Sequence, residues 1–209
     1  MNKDHIKNII FDLGGVIINL DTQKTASEMK KLGFADFEKS YTLLSQTDIF
    51  DLLEKGLISP SQFRFEIQKQ LPKSVSDQEL DVAWSAMLLD FPAKRIELIQ
   101  SLKNKYRTFL LSNTNKIHYD NYNTDFISVY GCQLNDIFEK AYYSFDLGMR
   151  KPEADIYQFV LKQSHLNPKE TLFIDDSEAN IRTANALGIQ TLWIDVKNGE
   201  ELVDKLIGF

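Results

Sequence analysis

The chain has 209 residues, of which 43% are apolar and 26% are charged, and its formal net charge is -6 at pH 7. This composition is ordinary for a soluble globular protein, and the length suits one α/β domain with an insertion or two small domains. The negative charge argues against a nucleic-acid-binding protein, because such proteins need a basic surface that displaces counterions from phosphates. The single cysteine, Cys132, excludes an intramolecular disulfide and is expected to be a structural thiol.

The N-terminal residues, MNKDHIKNIIF, carry charges but lack the long apolar segment of a signal peptide. No later apolar run approaches the length of a transmembrane helix. We therefore expect a soluble, cytoplasmic protein without a membrane partner.

Four short apolar runs predict the strands of a parallel sheet. Each run is four to six residues long and apolar nearly throughout, as expected for strands that are buried on both faces. The runs are IIFDL at 9–13, TFLLSN at 108–113, TLFIDD at 171–176 and TLWIDV at 191–196.

Helical patterns separate the later strands. Apolar residues recur at helical spacing in 93–106 and in the segment that ends at Gly188, a favourable residue for the end of a helix. The segment 151–163 is also predicted to be helical, with Pro152 in its first turn. Alternation of strand and helix indicates an α/β fold with right-handed crossovers.

The segment 19–92 has a different pattern, without strand-like runs. Two capping-box sequences, Ser59-Pro60-Ser61-Gln62 and Ser76-Asp77-Gln78-Glu79, each precede an apolar stripe at helical spacing. They predict about four helices inserted after the first strand.

This pattern predicts a Rossmann-like parallel-sheet core with an inserted helical cap. The core comprises 1–18 and 93–209, and the cap comprises 19–92. The alternative is that the helices form one half of a single domain.

Polar side chains follow three of the predicted strands, at the point where each strand ends. They are Asp12 after the first, Ser112 and Asn113 at the second, and Asp175 with Asp176 at the third. Parallel strands present their carboxyl ends at one edge of the sheet, where ligands bind. Three carboxylates gathered there repel one another unless a cation neutralises them, and Mg²⁺ prefers oxygen ligands.

A lysine at the start of the predicted 151–163 helix completes this cluster. A cation is electrostatically unfavourable at a helix N-terminus unless an anion lies opposite, so Lys151 is interpreted as a phosphate-binding residue. The sequence contains neither GxGxxG nor GxxxxGK[ST], which excludes the usual dinucleotide fingerprint and the P-loop.

The motifs FDLGGVI, LLSNTN, RKPEADIY and FIDDSEANI, in this order, resemble the four motifs of the haloacid dehalogenase (HAD) superfamily. The helical insertion after the first motif is similar to the C1 type of cap in that superfamily. The second and third motifs most resemble the branch that contains bacterial glucose-1-phosphate phosphatases and the phosphatase domain of soluble epoxide hydrolases.

The resemblance implies a phosphatase mechanism. Asp12 would attack phosphorus and form an aspartyl-phosphate, which is covalent catalysis by a carboxylate. Ser112 and Asn113 would hydrogen-bond the phosphoryl oxygens, and Lys151 would neutralise phosphate in the transition state.

The resemblance also implies a magnesium site. Its ligands would be the carboxylates of Asp12 and Asp176 and the backbone carbonyl of Gly14. Asp175 would bind the metal directly or through water.

Gly14 is a departure from the superfamily, because most of its phosphatases have a second aspartate there as general acid and base. Loss of such a group commonly costs about 10²–10⁴-fold in rate. The branch that this sequence resembles often has glycine at this position. Asp21 is a conceivable substitute, although a solvated residue at the cap hinge is the better interpretation.

The predicted function is Mg²⁺-dependent hydrolysis of a small phosphorylated metabolite, such as a sugar phosphate. One alternative is a 2-haloacid dehalogenase, which also lacks the second aspartate but needs no metal, so Asp175 and Asp176 argue against it. The other is a non-catalytic HAD-fold binding protein.

The sequence of the cap does not identify the substrate. Phe50, Glu54, Lys55 and Trp84 are candidates to face the site, although each type is more often a core or surface residue. The oligomeric state is not predicted.

Overall fold

The computed structural model describes residues 5–34, 37 and 49–209. Its centre is a five-stranded parallel sheet with the strand order β3-β2-β1-β4-β5. The strands are β1 Asn8–Phe11, β2 Arg107–Ser112, β3 Lys140–Tyr143, β4 Thr171–Asp175 and β5 Gln190–Trp193.

Ten α-helices lie within the described residues. They are α1 Thr22–Lys31, α2 Ile49–Glu54, α3 Pro60–Gln68, α4 Asp77–Ser85, α5 Ala93–Leu102, α6 Lys116–Tyr130, α7 Ser144–Leu147, α8 Ala154–Gln163, α9 Glu178–Ala186 and α10 Leu202–Lys205. None of the helices in this part of the chain combines the length and apolarity that crossing a membrane requires.

Apolar residues on both faces of the sheet are buried, as the continuous apolar runs predict. Along β1, Ile9 and Phe11 belong to one hydrophobic cluster, and Ile10 belongs to another on the opposite face. Because side chains alternate along a strand, an uninterrupted apolar run supplies both clusters. The predicted α/β fold with a parallel-sheet core is confirmed.

Several details differ from the sequence predictions, which did not include the long helix α6. The edge strand β3 was not predicted, since its sequence, KAYY, is short and its first residue is exposed. The helix expected from Lys151 begins at Ala154 instead, and Lys151 and Pro152 lie in the turn before it. Pro152 therefore does not start the helix.

The capping boxes of the inserted segment are present as predicted. The Ser59 side chain accepts a hydrogen bond from the backbone of Gln62 and precedes α3, and Ser76 does the same for Glu79 before α4. Four helices, α1 to α4, lie in the described part of this segment.

The inserted helices have a hydrophobic cluster of their own. It consists of residues between Met29 and Trp84, together with Ile117 from α6. The chain enters and leaves this segment through two paired linkers, where Asn19 N donates to Asp90 O and Leu89 N donates to Asn19 O, both at 3.0 Å. This arrangement supports our proposal that 19–92 is a cap on a core of 1–18 and 93–209.

Candidate functional site

Three carboxylates meet at the carboxyl ends of β1 and β4. Asp12 directly follows β1, Asp175 ends β4, and Asp176 comes next. Single carboxylate oxygens of the three lie within 4.8 Å of one another. β1 and β4 are adjacent in the sheet, so side chains more than 160 positions apart in sequence share one edge. A cluster of oxygen ligands at this spacing fits a hard divalent cation.

The ammonium of Lys151 lies inside this cluster. Lys151 Nζ is 2.5 Å from Asp12 Oδ1 and 2.7 Å from Asp175 Oδ2, and the lysine side chain is only 1% exposed. A buried ammonium is costly unless it is paired, so the two carboxylates stabilise it there. The lysine is thus held beside the carboxylate that was predicted to be the nucleophile.

Asn113 fixes the backbone at Lys151. Its Nδ2 donates to Lys151 O at 2.8 Å, and its Oδ1 accepts from Lys151 N at 2.9 Å. Both side-chain groups of Asn113 therefore bind the backbone of Lys151. The neighbouring Ser112 is buried at the end of β2, and its Oγ donates a long bond of 3.4 Å to Asn113 O.

Asp175 is saturated by hydrogen bonds. Its Oδ1 accepts from Ser177 N at 2.8 Å and from Asn180 Nδ2 at 2.9 Å. Its Oδ2 accepts from Asn180 Nδ2 at 3.0 Å, in addition to its pairing with Lys151. Asn180, one turn into α9, was not among the predicted site residues. Its position shortly after the two aspartates was the only signal in the sequence.

The charges in this cluster do not balance, because three carboxylates face one ammonium. Burial raises the pKa of Asp12 to about 7; Lys151 opposes this effect and Asp175 adds to it. Burial and the charge of Asp175 raise the pKa of Asp176 to about 6. Burial acts to lower the pKa of Lys151, but Asp12 and Asp175 outweigh it and the pKa is raised. A bound cation would favour the ionised carboxylates.

The loop after Asp12 is compact. Gly15 N donates to Ile18 O at 2.9 Å, and Gly15 has φ of 73°. A Cβ at Gly15 would lie 2.6 Å from Asp176 Oδ2, so glycine lets this backbone approach the carboxylate. The predicted role of the Gly14 carbonyl as a metal ligand stays a prediction.

The cap candidates divide into two pairs. Phe50 and Trp84 pack in the cap cluster, with ring centroids 5.3 Å apart, and Trp84 also stacks on His118. Glu54 and Lys55 instead lie against the loop that carries Lys151, as described below.

Asp21 has a structural role in this arrangement. It is the N-cap of α1, where its side chain accepts from Gln23 N at 3.1 Å. An N-cap contact of this kind is a common use of aspartate.

Comparison with known proteins gives matches over most of the chain. A family model described as haloacid dehalogenase-like hydrolase matches residues 6–188. The D-ribitol-5-phosphate phosphatase of Bacteroides thetaiotaomicron is 37% identical over 186 residues, which cover 89% of this chain and 90% of that protein. The bifunctional epoxide hydrolase 2 of Rattus norvegicus is 29% identical over 140 residues, 66% of this chain and 25% of that protein.

A solved structure agrees with these matches. A HAD family enzyme from Bacteroides thetaiotaomicron, in complex with magnesium and inorganic phosphate, superimposes with a TM-score of 0.89 and 41% identity. The match covers 96% of this chain and 99% of that one.

Proposed function

The chain belongs to the haloacid dehalogenase-like hydrolases, and on that premise we propose that it is a Mg²⁺-dependent phosphatase acting on a small phosphorylated metabolite. The observation that carries the proposal is the position of Lys151 Nζ between Asp12 and Asp175, with Asp176 beside them. This site offers a nucleophile, a cation for phosphate and oxygen ligands for a metal.

Asp12 is the proposed nucleophile. Its ionised carboxylate attacks phosphorus, so that the alcohol leaves and an aspartyl-phosphate forms; water then attacks phosphorus and releases phosphate. Splitting hydrolysis in this way replaces one difficult displacement with two easier ones.

Lys151 is the proposed electrostatic partner of the phosphoryl group. Because its ammonium is buried, its charge is poorly screened and acts strongly on charge that develops on the phosphoryl oxygens. Asp175 and Asn113 hold the lysine by its side chain and its backbone. Ser112 and the backbone of Asn113 are the proposed contacts of the phosphoryl oxygens.

Mg²⁺ is the proposed cofactor, held by Asp12, Asp176 and the Gly14 carbonyl, with Asp175 bound directly or through water. Bound there, the metal would neutralise phosphate oxygens and the excess of carboxylate charge. The similar enzyme from Bacteroides thetaiotaomicron was solved with magnesium and inorganic phosphate.

The proposed substrate class is a phosphorylated sugar or sugar alcohol. This proposal is supported by the similarity to the D-ribitol-5-phosphate phosphatase of Bacteroides thetaiotaomicron, which is 37% identical over 89% of this chain. That compound is an ester of a primary alcohol, and primary alkoxides leave poorly unless they are protonated.

A phosphate-release assay tests the proposal. Wild type and Asp12→Asn are compared on p-nitrophenyl phosphate and on a panel of sugar and sugar-alcohol phosphates, with Mg²⁺ and with a chelator. We expect metal-dependent release by the wild type and almost none by the variant.

Three results would refute it. Halide release from 2-haloacids without metal and without phosphatase activity would identify a dehalogenase. Inactivity on every phosphate, without thermal stabilisation by Mg²⁺, would identify a binding protein. Full activity of Asp12→Asn would remove the proposed nucleophile.

A further inference from the structure

The proposed mechanism needs a proton donor that the first motif does not supply. Position 14 is glycine, and Asp21 is occupied as the N-cap of α1. At the strand ends, Lys151 pairs with Asp12 and Asp175. Because Asp176 is a proposed metal ligand, a donor for the leaving alcohol is expected from another element.

The end of α2 is packed against the loop that carries Lys151. Lys55 Nζ lies 2.6 Å from Glu153 Oε1 in this loop. A Cβ on Gly56 would lie only 2.1 Å from the backbone oxygen of Phe145, so the two backbones are in close contact. The cap residues just before Gly56 are thereby held against the loop that carries Lys151 and against Phe145.

Glu54, the last residue of α2, has a carboxyl group in an unusual environment. Its Oε2 is inaccessible to solvent and lies 3.1 Å from Arg150 Nη2, yet it accepts no directed hydrogen bond from the described residues. The side chain as a whole keeps 30% exposure. Burial raises the pKa of Glu54 to about 7, although the charge of Lys151 acts to lower it. A carboxyl group of this kind can be protonated near neutral pH.

We propose that Glu54 is the general acid and base of the phosphatase reaction, supplied by the cap in place of the residue that is missing at Gly14. This inference rests on the proposed function. It is carried by the packing of the end of α2 on the loop that carries Lys151, and by the buried Glu54 Oε2, which lies 3.1 Å from Arg150 Nη2 without a directed hydrogen bond.

The proton balance is simple. In the first step the Asp12 oxygen bonds to phosphorus, the bond from phosphorus to the ester oxygen breaks, and Glu54 gives its proton to that oxygen, so that an alcohol leaves. In the second step Glu54, now a carboxylate, takes a proton from the attacking water. The bond between phosphorus and Asp12 then breaks, and phosphate, ionised Asp12 and protonated Glu54 are restored.

Within the described residues, other charged groups also lie around α2. Asp51 and Lys55 lie on the same segment as Glu54, and Asp51 pairs with Arg150. The charged residues of the neighbouring elements are Arg64 and Glu66 on α3, Asp146 on α7, and Arg150, Lys151 and Glu153 on the loop before α8. Arg64 pairs with Asp81 and Glu66 with Lys69. Among the described residues, Arg150 lies 3.1 Å from Glu54, and the charge of Lys151 also acts on it.

The test compares two aryl esters that differ in the stability of the leaving group. Nitrophenolate leaves from p-nitrophenyl phosphate without protonation, whereas phenolate leaving from phenyl phosphate benefits from an acid. Neither leaving group has sugar hydroxyls that Glu54 could bind. We expect Glu54→Gln to lower kcat/KM at least about 10²-fold with phenyl phosphate and less than about tenfold with p-nitrophenyl phosphate.

The matched control is Asp51→Asn, which removes the other carboxylate that pairs with Arg150. It should change kcat/KM by the same small factor for both esters. Glu54→Gln should also show a burst of one nitrophenolate per enzyme, because the second step loses its base.

A wild-type measurement supports the test in case Glu54→Gln does not fold. The kcat/KM for phenyl phosphate should fall above the pKa of Glu54, and that for p-nitrophenyl phosphate should fall less. Equal pH profiles, or equal losses with both esters in the variant, would overturn the role of Glu54 while leaving the phosphatase intact. A wild type that hydrolyses neither ester would instead refute the proposed function.

Discussion

Asn113→Ala should lower both the stability of the protein and its catalytic rate, because Asn113 acts through Lys151. The side chain makes two hydrogen bonds to the Lys151 backbone, at 2.8 and 2.9 Å. Each is worth roughly 0.5–1.5 kcal/mol, so the free energy of unfolding should fall by about 1–3 kcal/mol. Displacing the lysine should cost roughly 10–100-fold in kcat/KM.

The assay is urea denaturation without Mg²⁺ or phosphate, followed by kinetics and by inhibition with inorganic phosphate. Asn121→Ala, at an exposed position on α6, is the control and should change neither property. If the Asn113 side chain bound phosphate directly, Asn113→Ala would weaken inhibition by phosphate and leave the free energy of unfolding unchanged. That combination would refute the reasoning.

Three further predictions follow from packing, protonation and metal binding. Gly56→Ala should lower the free energy of unfolding by about 2–4 kcal/mol in urea denaturation, since φ is +63° and the new Cβ would meet Phe145 O. The control Gly131→Ala, where φ is +71° but no atom lies near the new Cβ, should lower it by only about 1–2 kcal/mol. Equal losses in the two variants would contradict the close contact at Gly56. Burial lowers the pKa of His118 from 6.5 to about 4. As the pH drops through this range, the unfolded state takes up a proton before the folded state does, so the free energy of unfolding falls by about 3 kcal/mol. His118→Phe should remove this part of the pH dependence in denaturation curves, and an unchanged dependence of the free energy of unfolding on pH would refute the prediction. Mg²⁺ at 100 times its Kd should stabilise the wild type by about 2.7 kcal/mol in thermal melts, and a smaller gain at the same concentration is expected for Asp176→Asn.

The sequence was sufficient to predict four of the five strands and the gathering of acidic residues at one edge of the sheet. Parallel strands place their carboxyl ends together, so Asp12, Asp175 and Asp176 could be expected to meet. Their roles as nucleophile and metal ligands stay predictions that the assays address.

Other features depended on tertiary contacts that local patterns do not encode. The position of Lys151 in a turn, and not in a helix, is set by contacts with Asn113 and the carboxylates. The environment of Glu54 arises from the packing of α2 on a loop almost a hundred residues away in sequence. Sequence patterns report burial and periodicity, but they do not report which loop a helix end will contact.

The most direct measurement of the central claim is to trap the phosphoryl group on Asp12. Wild-type enzyme is mixed with Mg²⁺ and p-nitrophenyl phosphate, quenched in acid during turnover, digested and analysed by mass spectrometry. We predict one added phosphoryl group on the peptide that contains Asp12, and none in Asp12→Asn. Turnover by the wild type without any phosphorylation of that peptide, or undiminished turnover by Asp12→Asn, would contradict the account.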